Sequence, residues 1–282
     1  MKEISFSKLN GQGNDFILID DIQGRLSLDR ERIALMCDRH LGIGGDGLIM
    51  VHKSEKADYK MSYYNADGSV AEMCGNGIRC MARFLYEKGI CSRKQIDVET
   101  LAGIKRIAME TEAGKVENIM VNMGKPEFNP SLIPAKINGK DEVFDYKLQL
   151  EGEDFYINLV SMGNPHCIIL TEKLDQTDLK RWGPLLENHP LFPQKTNVEF
   201  ISIHADDMIL MRVWERGVGE TLACGTGACA SAVAAIKLGK IKRNKVKVKV
   251  PGGTVDILWD DGGWVHLEGK VDYVFDGKYF DR

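Results

Sequence analysis

No run of about 18 apolar residues occurs anywhere in the chain, so no segment has the composition of a membrane-spanning helix. No Cys-x-x-Cys pair is present, and the six histidines are scattered at positions 40, 52, 166, 189, 204 and 266. A metal centre is therefore not expected. Positive charge is not in excess: 37 Lys and Arg stand against 41 Asp and Glu, a net charge of −4. A nucleic-acid footprint would be basic, so the charge balance argues against that class of partner, and none is expected. No Gly-x-x-x-x-Gly-Lys-Ser/Thr cradle offers a site for a pyridoxal or nucleotide phosphate, and no cofactor is expected. The opening Met1-Lys2-Glu3-Ile4-Ser5 reads as a strand rather than an export signal. Seven cysteines, an odd number, then suggest reduced thiols in a cytoplasm.

What the chain has is a stretch that occurs twice. Met73-Cys74-Gly75-Asn76-Gly77-Ile78-Arg79-Cys80 is echoed by Ala223-Cys224-Gly225-Thr226-Gly227-Ala228-Cys229-Ala230. The leading cysteines are 150 positions apart, and the offset recurs beyond them. Gly13-Asn14 matches Gly163-Asn164, and Gly89 matches Gly239. Ile96 and Val98 match Val246 and Val248, and Gly103 matches Gly253. So many features in one register point to a tandem duplication of an α/β unit in 282 residues, room enough for two domains.

Within the first copy, Ile4 to Leu9 alternates as a half-buried strand, and Phe16 to Ile19 is an apolar, buried one. Ser27 to His40 has helical spacing, with Ile33, Met36 and Cys37 on one face. After the first cysteine motif, Ile78, Met81, Ala82, Leu85 and Tyr86 mark one face of a helix that Gly89 stops. The second motif opens a helix, Ala228 to Leu238, that is apolar nearly all round and therefore expected to be buried on all sides. Residues 125–140, with Pro126, Pro130, Pro134 and Gly139, are the best linker candidate. Lys245 to Val250 looks like a basic patch, but its strict alternation reads as a half-exposed strand with solvated lysines. The tail from Trp264 to Phe280 reads as late strands.

A cysteine directly before a helix faces unpaired backbone N–H groups and the positive end of the helix dipole. Such a position favours a thiolate. The glycines that follow, Gly75 and Gly77, Gly225 and Gly227, let a ligand reach those N–H groups. Each motif can thus act as base and as anion cradle, and we expect the two thiols to face each other across one active site. The chemistry that wants this is inversion of a carbon that bears a hydrogen next to a carboxylate. One thiolate removes the proton from one face, and the opposite thiol delivers a proton to the other. The two thiols must hold opposite protonation states and so titrate as a pair. Cys37, Cys80, Cys91, Cys167 and Cys229 lack this context and read as packing residues.

Phe6 to Phe16, Asn65-Ala66-Asp67-Gly68-Ser69, the two cysteine motifs, Met162-Gly163-Asn164-Pro165-His166 and Glu215 to Gly227 resemble the diaminopimelate epimerases. The resemblance runs from the first strand to the tail. It implies cofactor-independent epimerisation of LL-diaminopimelate to the meso isomer, serving lysine and cell-wall synthesis. It implies an α/β (α+β) fold of two pseudo-symmetric domains, each a curled mixed or antiparallel sheet around a central helix, with the substrate between them. The first domain would take residues 1–120 with the C-terminal tail 268–282, and the second residues 121–267. Cys74 and Cys224 would be the catalytic pair, assisted by His166 and Glu215. Gly75-Asn76 and Gly225-Thr226 would hold the reacting carboxylate. Asn14, Asn65, Asn164, Asn197, Glu215 and Arg216 match substrate-binding positions. Arg216 is suited to bidentate capture of a distal carboxylate.

Two departures stand out. Many relatives carry Gln where this chain has Gly47, and Tyr at a position linked to homodimer formation where this chain has Phe275. The nearest rival reading is a two-cysteine racemase for another amino acid. Proline racemase-like enzymes usually carry His in place of Asn76, and a single-carboxylate substrate would not need Arg216. From another class, a thiol-redox or metal-binding protein would use Cys74 and Cys224 in a disulfide or at a zinc ion.

Overall fold

The computed structural model describes residues 2–281. Its contacts divide the chain into two units, Met1–Asn122 with Glu268–Arg282, and Met123–Leu267.

The first unit is a mixed sheet with one long helix. Its elements are β1 (Lys2–Gly11), β2 (Asn14–Asp20), α1 (Arg30–Cys37), β3 (Gly47–Lys53), β4 (Tyr59–Asn65), β5 (Val70–Ala71), α2 (Gly75–Glu87), β6 (Gln95–Thr100), β7 (Gly103–Glu112) and β8 (Lys115–Gly124). β1 pairs antiparallel with β2, which runs parallel to β3; β3 pairs antiparallel with β4. β4 runs parallel to β6, which is followed by the antiparallel pairs β6–β7 and β7–β8. α2 packs on β1 and β2 at one end of this order and on β7 at the other, so the sheet curls round it. Ile78, Met81, Ala82 and Leu85 are fully buried on α2, as their spacing predicts. Burial of each of the larger ones contributes roughly 1.5–3 kcal/mol.

The second unit repeats the plan: β9 (Tyr146–Leu150), β10 (Glu153–Ser161), β11 (Pro165–Leu170), α3 (Leu179–Glu187), β12 (Asn197–Ala205), β13 (Met208–Glu215), β14 (Gly219–Thr221), α4 (Gly225–Lys237), β15 (Lys245–Val250), β16 (Gly253–Trp259) and β17 (Val265–Gly269). The last strand, β18 (Asp272–Asp281), pairs antiparallel with β1 of the first unit. α4 is built of small residues; Ala228, Ala230, Ala232, Ala234 and Ala235 are all buried. Alanine favours a helix and lets strands approach closely. In β15 the valines are buried and the lysines exposed, as the alternation predicts.

The offset of 150 holds in the pairing itself. Gly47 lies opposite Asn65 and Leu48 opposite Tyr64, and 150 positions on Val198 lies opposite Trp214. Phe16 lies beside Gly47 in parallel strands, and His166 lies beside Asn197. Gln95 faces Ala108, and Lys245 faces Leu258. Gly89 and Gly239, just beyond the two long helices, have φ of 68° and 67°, a left-handed stop that suits glycine.

Two expectations change. The helix expected over Ser27 to His40 is only Arg30–Cys37. Asp29 Oδ1 caps its start by accepting from Arg32 N at 2.8 Å, and Asp38 Oδ1 accepts from His40 and Leu41 N beyond its end. Side chains that satisfy the terminal N–H groups close the helix early. The stretch 125–140 is not a spacer. Ile133, Ala135 and Ile137 are buried in the core of the second unit with Leu159, Leu174 and Val198. The prolines shape an irregular segment whose apolar residues still need covering.

Candidate active site

Cys74 and Cys224 occupy the same local structure. Each is the N-cap of its helix, with φ/ψ of −134°/121° and −130°/113°. In each, the N–H three residues on (Gly77, Gly227) donates to Sγ at 3.4 Å. The sequence produces this because an extended cap residue followed by Gly-x-Gly leaves the first-turn N–H groups without side chains in front of them.

Around Cys74 the first unit assembles a polar network. Cys74 Sγ donates to Asn14 Oδ1 at 3.6 Å, and Asn76 Nδ2 donates to the same oxygen at 3.4 Å. Asn14 Nδ2 donates to Asp46 Oδ2 at 2.7 Å. Arg39 joins Asp46 (2.9 Å) and Asp15 (2.6 Å), and Lys8 joins Asp15 at 2.7 Å. Burial would raise the Asp15 carboxyl, but Arg39 and Lys8 outweigh it and hold it down to about 2. Buried Arg79 donates to Asn76 Oδ1 and Gln12 Oε1, both at 2.6 Å. Asn65 lies at the exposed end of β4, where its Nδ2 donates to Ser69 Oγ at 3.0 Å.

The second unit keeps the same pair but changes its surroundings. Asn164 Nδ2 donates to Thr226 Oγ1 at 3.3 Å, as Asn76 and Asn14 meet in the first unit. Thr226 Oγ1 is 3.5 Å from Cys224 Sγ. Asn164 Oδ1 is 3.0 Å from His166 Nε2, and His166 Nδ1 is 2.7 Å from Glu199 Oε1. Glu215 Oε1 accepts from Thr221 Oγ1 at 2.5 Å, and this carboxylate is an electrostatic neighbour of Cys224. Asn197 uses both ends of its amide on the backbone, donating to Pro165 O and accepting from Arg216 N, each at 2.9 Å. The Arg216 side chain is exposed and donates to Gln194 O at 3.3 Å.

One expectation fails here. A helix-start cysteine was expected to favour its thiolate, yet Cys224 is pushed well above the ordinary thiol value. Burial is the main cause, and the Glu215 and Glu199 carboxylates add to it, against Thr226 and the Gly227 N–H. Desolvation and two like charges outweigh the dipole of the helix start. Burial likewise raises the Glu215 carboxyl. Among the packing cysteines, burial pushes Cys37 up to about 11 and raises Cys80 and Cys167 as well.

Sequence reasoning singled out Asn14, Cys74, Asn76, Asn164, His166, Glu215, Cys224 and Thr226 in these two networks, while Asn65 and the Arg216 side chain bond outside them; it missed Glu199, Thr221, Asp46, Arg79, Gln12, Arg39, Asp15 and Lys8. For Glu199 a signal was available: a carboxylate inside the apolar run Val198-Glu199-Phe200-Ile201, where the first copy has Ile49. The Gly47 departure also has a structural cause. A Cβ at Gly47 would lie 2.6 Å from Tyr64 O and 2.7 Å from Tyr63 Cε2, so Tyr63 fills the room a side chain would need.

Comparison with known proteins now adds an independent measure. A sequence model of a family described as diaminopimelate epimerase matches residues 6–129 and 158–274. The diaminopimelate epimerase of Leptospira biflexa is 43% identical over 277 residues, covering 98% of this chain and 99% of that protein. That of Desulfitobacterium hafniense is 47% identical over 273 residues, covering 96% of each. Among solved structures, a phenazine biosynthesis protein of the PhzF family from Bacillus anthracis superposes with a TM-score of 0.71 at 18% identity, covering 100% of both chains. At that identity it speaks for the mixed α/β fold alone.

Proposed function

The chain belongs to the diaminopimelate epimerase family, and from that premise we propose that Cys74 and Cys224 are the two proton carriers of its reaction. The enzyme is an isomerase that epimerises diaminopimelate, a step of lysine biosynthesis. The observation that carries the residue assignment is the duplicated N-cap: two thiols with matched dihedrals, each accepting from the N–H three residues on.

In the two-base mechanism, a thiolate takes the α-proton and becomes S–H. The C–H electrons stay on the substrate and spread into its carboxylate. The other thiol then gives its proton to the opposite face and becomes the thiolate. No electrons leave the system, so no redox partner is needed. Burial and its two neighbouring carboxylates suit Cys224 to hold the proton. Cys74 is then the base for the substrate epimer that presents its hydrogen to it, and the roles exchange in the reverse direction. The backbone N–H groups of Gly75-Asn76 and Gly225-Thr226 suit the reacting carboxylate, each donor contributing about 2.7–4 kcal/mol by analogy with oxyanion holes.

The distal end of the substrate falls to exposed groups. Arg216 is suited to its carboxylate. Asn65, Asn14 and Asn164 contribute polar contacts, while Asn197 acts by bracing the backbone at Arg216. Glu215 and buried His166 assist instead at the reacting end, in the network around Cys224.

The two units are the two domains of the duplication in this reading, and the active form is a homodimer. A groove of about 820 Å³ in the first unit supports self-association. It combines exposed Leu35, Leu41, Phe275 and Phe280 with acidic Asp29 and Glu31 and basic Arg32 and Lys278. Such a surface can satisfy itself across a two-fold axis. We place the enzyme in the cytoplasm, where its thiols stay reduced.

Incubation with LL-diaminopimelate in D2O tests the whole reading. The wild type should place deuterium at the α-carbon as it forms the meso isomer. Cys74→Ser and Cys224→Ser should each lower kcat about 10²–10⁴-fold with the fold retained. Absence of α-deuterium refutes the reaction, and near-normal turnover by either variant refutes the two-thiol assignment.

A further inference from the structure

Glu199 exposes no surface, and neither does His166, whose Nδ1 lies 2.7 Å from Glu199 Oε1. The second carboxylate oxygen, Oε2, has no hydrogen-bond partner among the described residues. A buried carboxylate with one oxygen unanswered is costly, and the first half shows that packing does not require it. There the corresponding residues are Ile49 and Phe16. The carboxylate even needs room made for it. A Cβ on Gly227 would lie 2.6 Å from Glu199 Oε1.

The hydrogen bonds define what the pair does. Asn164 Nδ2 donates to Thr226, so Asn164 Oδ1 is the atom that faces His166 Nε2 at 3.0 Å. Nε2 meets an acceptor and must carry a hydrogen. A second hydrogen then lies between Nδ1 and Glu199. The contact at Nδ1 and the acceptor at Nε2 fix the ring with Nε2–H aimed at Asn164. Asn164 in turn reaches Thr226, which is 3.5 Å from Cys224 Sγ.

The first half holds its matching asparagine by another route. Asn14 is anchored by Asp46, and Asp46 by Arg39 at the surface. The position matching Asp46 in the second half is Thr196, whose hydroxyl donates to a backbone carbonyl instead. Resting on the two-thiol reading above, we propose that Glu199, acting through His166, is the positioning residue of the second half-site: it holds Asn164 and Thr226 beside Cys224, as Asp46 holds Asn14 beside Cys74.

The test is a pair of substitutions with steady-state kinetics. Glu199→Ile should lower kcat about 10–100-fold with KM little changed, by analogy with carboxylates that orient histidines at metal sites. Glu199→Gln should restore most of the loss, because its amide can donate to Nδ1 and leave Nε2–H on Asn164. The double variant Glu199→Ile/His166→Phe copies the packing of the first half, guards against a folding defect from an unpaired histidine, and should be as slow as Glu199→Ile. In the wild type, ¹⁵N NMR of the His166 ring should show the hydrogen facing Asn164 on Nε2. Wild-type kcat in Glu199→Ile, or a Gln variant as slow as the Ile variant, or an unprotonated Nε2, overturns the proposal. Cys224→Ser separates the two levels: if it is inactive while Glu199→Ile is normal, only the role of Glu199 fails.

Discussion

Ile49 and Glu199 hold the same position in the two halves of the chain. A Cβ on Gly77 would lie 2.9 Å from Ile49 Cδ1, and a Cβ on Gly227 would lie 2.6 Å from Glu199 Oε1. Two helices with the same cysteine cap therefore start over different floors, one apolar and one carrying a buried carboxylate. The two thiols are alike in backbone geometry and stand over different neighbours. In a two-base epimerisation one thiol holds a proton while the other accepts one, and the two exchange these roles with direction.

Glu215 carries a stability cost that serves the site. Burial raises its carboxyl above the usual 4.5. The folded state thus binds this proton more tightly than the unfolded chain. The associated stability is fully present below pH 4.5 and is lost as pH rises through the raised value. Glu215→Gln should melt above the wild type at pH 7, the gap should close toward pH 4.5, and turnover should fall. Thermal unfolding of both proteins across pH checks this; a gap that stays constant with pH contradicts it.

Asp15 acts with the opposite sign. Its carboxyl is lowered from 3.8 to about 2 despite burial, because Arg39 and Lys8 surround it. Its contribution is present above pH 3.8 and is lost as pH falls through about 2. Asp15→Asn removes the partner of Lys8, a side chain only 8% exposed. The cost should be about 3 kcal/mol, the low end of the range for a broken buried pair, since Gly44 O still accepts from Lys8. Urea unfolding at neutral pH measures it.

Gly47 cannot take a side chain without rearrangement, since a Cβ there would lie 2.6 Å from Tyr64 O. Gly47→Gln should lower stability by about 1–3 kcal/mol, as overpacking does, and should leave KM no better. Tyr63→Ala in the same protein should relieve only part of the loss, since the backbone Tyr64 O at 2.6 Å remains. Full recovery of stability in the double variant would show that Tyr63 alone sets the restriction.

Leu41 is 78% exposed, so a charge there should cost an isolated protomer nothing. In the homodimer proposed above it should be disruptive. Leu41→Glu is expected to halve the mass measured by light scattering at micromolar protein. An unchanged dimer mass would remove this groove from the interface.

Much of this molecule is legible in the chain itself. The offset of 150 predicts the duplication, and it reappears residue by residue in the strand registers. The Cys-Gly-x-Gly pattern predicts both N-caps, because cap geometry is decided by a few adjacent residues. The motifs around Cys74 and Cys224 also suffice for the family. Errors arose where side chains rather than periodicity end an element, as at Asp29 and Asp38 of α1, or where apolar residues of a proline-rich stretch such as Ile133 find a core.

What local sequence cannot determine is the environment of each thiol. His166 and Glu199 are 33 positions apart and meet only because β11 and β12 run side by side with Ile168 opposite Glu199. Cys224 sits on a helix start that favours its thiolate, yet burial with Glu215 and Glu199 raises it. Desolvation and Coulomb interactions depend on distance through space, so the sequence by itself determined where the thiols stand on their helices, and the tertiary structure decided the burial and the carboxylate neighbours that raise Cys224.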